Sequence, residues 1–312
     1  MPPAPATHRM TPLARLLLDA IGQSLRGKED AIELALIALF AGGHVLIEDQ
    51  PGVGKTLLGK SLAKALDLPF QRLQCTADLL PSDIVGAQVY QPKTGELSFR
   101  PGPVFTSVLL ADELNRTPPR TQSALLECMA ERRVTVDRTS HELPDPFFVI
   151  ATQNPLTAAG TYPLPENQLD RFLLCLRIGH LDPEHEVEVV AREDGHRLAE
   201  GLRPVASRDD LLGARAAVDA VRCDRDLAAF MVALAGHTRR SPDAVQGVST
   251  RGAQALHRAC RARAFVHGRA YVVPDDVRAL LLPVWAHRLG TRSGAGTEAL
   301  LHAALAETPM PD

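Results

Sequence analysis

His44-Val-Leu-Ile-Glu-Asp-Gln-Pro-Gly-Val-Gly-Lys-Thr56 decides how the rest of this chain reads. It opens on a short apolar run, turns through a Gly-rich segment, and leads into helix-period residues that continue to Leu66. Strand, loop and helix in that order are the context a phosphate-binding P-loop requires. Gly52 and Gly54 let the backbone wrap close to an anion, and the amides at the helix start then point at it. Pro51, Gly52, Val53, Gly54, Lys55, Thr56 and Leu57 are thus the candidate nucleotide-binding residues. Lys55 is placed to pair with the β- and γ-phosphate oxygens, and the Thr56 hydroxyl with Mg²⁺, so ATP and Mg²⁺ are the expected cofactors. The generic pattern has Gly where this chain has Asp49. Gly there eases a turn and makes no essential contact, so the departure reads as tolerable.

A second element confirms the nucleotide reading. Val108-Leu-Leu-Ala-Asp-Glu113 is an apolar strand ending in two carboxylates. Asp112 is expected beside the metal's water shell, leaving Glu113 to orient and deprotonate an attacking water. Around these motifs the periodicity predicts strands at 44–48, 69–74, 106–111, 147–152 and 172–178. The run that ends at Ala111 reads as a buried parallel strand. The fold class is α/β: a five-stranded parallel sheet flanked by helices, with hairpin insertions at 85–100 and around 135–141. After residue 181 the strand signals stop and helix periodicity runs at 183–199, 208–221, 224–238, 250–266 and 274–288, with a further segment at 297–306. The expected organisation is a disordered stretch 1–10, an α/β nucleotide-binding domain 11–180, and a smaller all-helical lid domain 181–312.

Three later residues narrow the class of ATPase. Asn154, at the tip of a strand beside Asp112, can hydrogen-bond a γ-phosphate or the lytic water. Arg171, in Leu169-Asp-Arg-Phe172, sits at the domain edge, where it reaches a neighbouring subunit's nucleotide more readily than its own. Arg251, in Gly247-Val-Ser-Thr-Arg251, opens a lid helix and can fold back onto the γ-phosphate. With Glu113 these are the candidate catalytic residues of an AAA+ ring subunit.

Longer runs carry a specific resemblance. Leu110-Ala-Asp-Glu-Leu-Asn-Arg-Thr-Pro-Pro-Arg-Thr-Gln-Ser-Ala-Leu-Leu-Glu127, Arg72-Leu-Gln-Cys-Thr-Ala-Asp-Leu-Leu-Pro-Ser-Asp83, Phe99-Arg-Pro-Gly-Pro-Val-Phe105 and Leu164-Pro-Glu-Asn-Gln-Leu-Asp-Arg-Phe172 look like signatures of the MoxR family of AAA+ ATPases. The likeness spans roughly residues 12–290. It implies ATP hydrolysis, a homo-oligomeric and typically hexameric ring, and a chaperone-like or activating role towards a protein partner with a von Willebrand factor A domain. Asp49 is common in that family, so the resemblance lowers the weight of the P-loop departure.

Composition excludes other classes. A net charge of −3 gives no general attraction to nucleic acid or anionic membrane. No apolar run approaches the roughly 18 residues of a membrane span, and the Pro/Ala-rich start has no apolar core of a secretory signal. Five dispersed cysteines without metal-ligand spacing read as reduced thiols, which fits a cytoplasmic location. His180-Leu-Asp-Pro-Glu-His-Glu186 gathers possible ligands without a metal-site spacing and reads as a helix start. Gln74, at the end of the second strand, is read first as a strand-end cap and second as a restraint on Glu113. The alternative function is a nucleic-acid-translocating AAA+ subunit, which needs basic pore hairpins. Lys93 and Arg100 in one hairpin, and Arg133, Arg138 and His141 in the other, are modest support. A P-loop small-molecule kinase leaves Asn154, Arg171 and the helical lid without a purpose.

Overall fold

The computed structural model describes residues 10–154, 160–191, 195–292 and 296–310. Five strands build the central sheet: β1 (Val45–Glu48), β2 (Phe70–Gln74), β5 (Val108–Asp112), β8 (Phe148–Gln153) and β9 (Leu174–Leu176). All pair in parallel in the order β2-β5-β8-β1-β9. Successive side chains point to opposite faces, so each strand feeds two cores. Val45, Ile47, Val108, Leu110, Phe148 and Ile150 face α1 (Pro12–Gly22), α2 (Glu29–Phe40) and α3 (Lys55–Ala65). Leu46, Leu109, Ala111, Val149 and Ala151 face α5 (Pro119–Glu131). Each such burial is worth about 1.5–3 kcal/mol, and the register that sets it also sets where the strand ends fall.

The two hairpins lie off the sheet. A short helix α4 (Pro81–Val85) leads into β3 (Gly86–Gln91) and β4 (Glu96–Pro101), and β6 (Arg133–Val136) pairs with β7 (Thr139–Glu142). Phe99 stacks on His141 at 3.9 Å between ring centres, joining the two insertions. The tip of the first hairpin leaves Val89, Tyr90 and Leu97 exposed.

Beyond the sheet come α7 (Pro183–Ala191), α8 (Gly195–Gly201), α9 (Arg208–Ala220), α10 (Arg225–Arg240), α11 (Thr250–Val266), α12 (Pro274–Trp285) and α13 (Gly296–Glu307). Ser207 and Asp210 form the capping box their spacing suggests at the start of α9. Between Arg133 and Leu164 the chain passes a polar hairpin and β8, and the single turn α6 (Glu166–Leu169) precedes β9. Helices α8 and α9 pack on α3 and α2 respectively, so the apolar core runs without a break from the sheet into the helical part. Three details depart from the sequence reading. Strand 172–178 shrinks to β9, because the Ile178 and Gly179 amides turn away to a carboxylate. The helix expected over 183–199 is described in two pieces, α7 and α8. A two-stranded pair, β10 (Ala244–Gln246) with β11 (Gly290–Thr291), interrupts the helices; it is too short for alternation to reveal. Of the N-terminal stretch read as disordered, residues 1–9 lie outside the described residues, and Met10 packs on the core.

A buried arginine seats the helical part on the sheet. Arg288, 3% exposed, gives its Nε to Asp170 at 2.7 Å and an Nη1 to the Leu173 carbonyl at 3.1 Å. Deleting one partner of such a pair strands the other, so Arg288→Ala should lower stability by about 3–5 kcal/mol, read from urea unfolding.

His44 sits below β1 fully buried. Its Nδ1 accepts from the Val149 amide at 3.1 Å and its Nε2 faces the Met129 carbonyl at 3.2 Å, which fixes a neutral ring. Burial pulls its pKa down to about 4, with Arg132 and other guanidinium groups adding in the same direction. The unfolded chain therefore takes up this proton first as pH falls. The stabilising contribution is complete above pH ~6.5 and declines towards pH ~4, by about 3 kcal/mol in all. Buried His287 shifts the same way. Urea midpoints should fall steeply across this window for the wild type and less steeply for His44→Gln.

Candidate active site

The C-terminal ends of β1, β5 and β8 converge on one cleft of about 510 Å³. One wall is the P-loop. Gly52 and Gly54 adopt φ of +89° and +102°, a backbone that L side chains rarely take, and a Cβ on Gly54 would fall 2.6 Å from Leu25 Cδ1. Helix α3 begins at Lys55, so its first amides open towards the cleft. The Lys55 ammonium donates to the Asp49 carbonyl at 2.5 Å. Partial burial lowers its pKa, with Asp112, Asp49 and Glu113 opposing that shift. Pro51, Val53, Thr56 and Leu57 line the same cleft, as do Asp112, Glu113 and Asn154.

The paired carboxylates are held by a hydroxyl that sequence reasoning did not single out. Thr152 Oγ1 donates to Asp112 Oδ1 at 2.8 Å and accepts from the Glu113 amide at 2.8 Å. A lone hydroxyl in the otherwise apolar run of β8 was the available signal. Glu113 itself takes φ +58°, a left-handed backbone that costs a non-glycine residue roughly 1–3 kcal/mol and marks functional sites. Gln74 Nε2 lies 3.4 Å from Glu113 Oε2, so Gln74 restrains Glu113 instead of merely capping its strand. Arg72 gives one Nη2 to Asp112 Oδ2 at 2.6 Å and to Gln74 Oε1 at 3.1 Å, and Arg116 pairs with Glu113 at 3.3 Å. Asp49 is no passive substitute for glycine: its carboxylate accepts from the amides of Ile178 and Gly179, each at 2.7 Å, and of Gln50 at 2.9 Å. Gln23, Ser24 and Leu25 after α1, with Leu181, Val189 and Leu198, form a further wall, mostly apolar and suited to a flat base.

The residues present fit a nucleotide and a hard cation. The left-handed glycines leave a cradle beside open helix amides, and the Thr56 hydroxyl and Asp112 carboxylate offer oxygen donors on the same cleft. Two expected catalytic residues lie elsewhere. Arg171 donates to the Leu126 carbonyl at 2.5 Å and borders a shallow cleft with Glu127 and Glu131. Arg251 is exposed in the first turn of α11 and does not line the nucleotide cleft of its own chain. The start of α11 instead meets the Arg171 segment: Ser249, the α11 N-cap, reaches Asp170 at 3.2 Å. The thiols of Cys75 and Cys128 are pushed up to about 12 by burial, and those of Cys175, Cys223 and Cys260 also rise, so all five are poor nucleophiles. Among the described residues no helix is long and apolar enough to cross a membrane.

A P-loop on a five-stranded parallel sheet, paired carboxylates at the end of β5 and a helical lid define an AAA+ ATPase module. The family model for ATPases associated with various cellular activities matches residues 44–174, and the AAA lid model matches residues 236–307. Among curated proteins, the chain is 46% identical to YeaC of Bacillus subtilis, an uncharacterized protein, over 89% of this chain and 87% of that one. It is 37% identical to Chaperone MoxR1 of Mycobacterium tuberculosis (84% and 72% covered) and 33% to MoxR of Paracoccus denitrificans (94% of each). A solved structure from Cytophaga hutchinsonii, provisionally classed as an ATPase, superposes with a TM-score of 0.88 at 36% identity, covering 96% of this chain and 94% of that one. The chain belongs to the MoxR family of AAA+ ATPases.

Thr152→Val keeps the shape of the side chain and removes both hydrogen bonds. The Glu113 amide and Asp112 then lose a shared partner, and unfolding free energy should fall by about 1–3 kcal/mol in urea titrations.

Proposed function

We propose that the chain binds ATP with Mg²⁺ and hydrolyses it to ADP and phosphate at sites shared between neighbouring copies in a ring. The observation that carries this reading is the division of the chemistry. Lys55, Thr56, Asp112, Glu113 and Asn154 border one cleft, whereas Arg171 stands on another edge of the molecule. On binding, Lys55 leaves the Asp49 carbonyl for the β- and γ-phosphate oxygens. Thr56 and Asp112 are the residues that would hold Mg²⁺, which neutralises charge developing on the phosphates. Glu113, released from Gln74, accepts a proton from the attacking water, and Asn154 orients that water. Arg171 supplies positive charge to the γ-phosphate of the adjoining subunit. Arg251, on a helix tied to Asp170, is assigned to the same intersubunit edge.

Membership of the family supports a chaperone-like use of this cycle, with movement of the helical part against the sheet remodelling or activating a protein partner. A hexamer and a partner with a von Willebrand factor A domain follow from the resemblance. The apolar tip of the β3–β4 hairpin, Val89, Tyr90 and Leu97, suits contact with protein better than with a phosphate backbone.

The test is ATPase rate per subunit against protein concentration, for wild type, Arg171→Ala, Glu113→Gln and an equal mixture of the two variants. Wild-type specific activity should rise with concentration. Each variant alone should lose about a hundredfold or more, as arginine-finger removal does, and the mixture should recover part of the rate. A flat wild-type rate untouched by Arg171→Ala would rule out the shared site.

A further inference from the structure

Asp49 stands where a P-loop ordinarily has glycine, and both of its polar ends are occupied. Its carbonyl receives the Lys55 ammonium at 2.5 Å, and its carboxylate receives the Ile178 and Gly179 amides at 2.7 Å each. Residues 177–182 are the covalent connection from β9 to α7. Lys28 holds the same connection from the other side, through the His180 carbonyl at 2.5 Å. Leu181 within it, with Val189 on α7 and Leu198 on α8 beyond it, forms the apolar wall of the nucleotide cleft. The single residue at which the phosphate loop begins is therefore bonded to the cationic side chain that must move and to the strap that carries the moving wall.

We propose that Asp49 is a positioning residue that couples occupancy of the phosphate loop to the position of α7 and α8. This inference rests on the proposed ATP reading and deepens it. In the empty state Lys55 steadies the Asp49 peptide, which fixes the carboxylate and, through it, the backbone at 178–179. When Lys55 turns to a phosphate oxygen, the Asp49 peptide loses that restraint, and the carboxylate transmits the change to the strap. A carboxylate serves this purpose because it accepts two adjacent amides at once with short, charge-assisted bonds. Glycine makes the turn and cannot hold the strap. Both strap amides meet the same oxygen, Oδ2, while Oδ1 takes the Gln50 amide. Asparagine can offer its carbonyl to the strap but without charge, and its N–H groups then oppose the Gln50 amide.

The experiment compares wild type with Asp49→Gly and Asp49→Asn by peptide-resolved hydrogen exchange over 174–201, and by binding and turnover of ATP with Mg²⁺. Without nucleotide, protection at 178–181 should fall by about tenfold in Asp49→Gly, which removes the shared acceptor, and by less in Asp49→Asn, which keeps an oxygen there but removes its charge. Adding a non-hydrolysable ATP analogue with Mg²⁺ should change exchange at 178–181 in wild type and leave Asp49→Gly unmoved. Affinity for the analogue should stay within about threefold while kcat falls about tenfold, a split that separates transition-state coupling from simple binding. Unchanged exchange at 178–181 in Asp49→Gly, or a loss expressed wholly in KM, would overturn the proposal. Absence of any analogue binding by wild type would instead remove the ATP reading, whereas the nucleotide-free exchange result concerns the Asp49 pin alone.

Discussion

One hydroxyl sets the geometry of the nucleotide cleft. Thr152 gives its proton to Asp112 and takes one from the Glu113 amide, so β8 dictates how β5 ends. That arrangement depends on parallel register, with Ala111 opposite Ala151. A slip of one residue would send every inward side chain to the other face and withdraw the hydroxyl as well. The left-handed backbone at Glu113 is tolerable because this bond and the buried strand before it over-determine the turn. Stability of the sheet and placement of the carboxylates are thus the same requirement, met twice by one register.

The helical part is joined to that sheet through a second, equally localised constraint. Arg288 is buried against Asp170 and the carbonyl of Phe172, one residue to either side of Arg171, and against the Leu173 carbonyl one residue further on. Ser249, at the cap of α11, meets the same carboxylate. The backbone that presents Arg171 is therefore clamped by the helices that carry Arg251. Any displacement of α11 would therefore reach the Arg171 segment through Asp170, whereas Asp112 and Glu113 are held by β5 and β8.

Much of this was legible in the sequence because it rests on local rules. The apolar runs at β1, β5 and β8, the glycines at 52 and 54, and the paired carboxylates at 112 and 113 each announce themselves through period, conformation or charge. What the sequence could not show is contact between distant segments. Thr152 gains its meaning only from standing beside β5, and Arg72 from reaching across to Asp112. Asp49 looked like a tolerated loss because its partners are backbone amides 129 and 130 residues away, and backbone amides carry no sequence signal. Arg251 is a different case: helix periodicity gives α11 and says nothing of the side of the molecule on which its first turn lands.

The ion pairs that line the cleft have a consequence of their own. Arg72 covers Asp112 and Arg116 covers Glu113, so two adjacent carboxylates do not face each other bare. A cleft that carries its own counter-charges is electrically quiet at rest. An occupant must bring enough charge of both signs to rearrange the set together, which a polyphosphate with its cation does and an isolated ion does not.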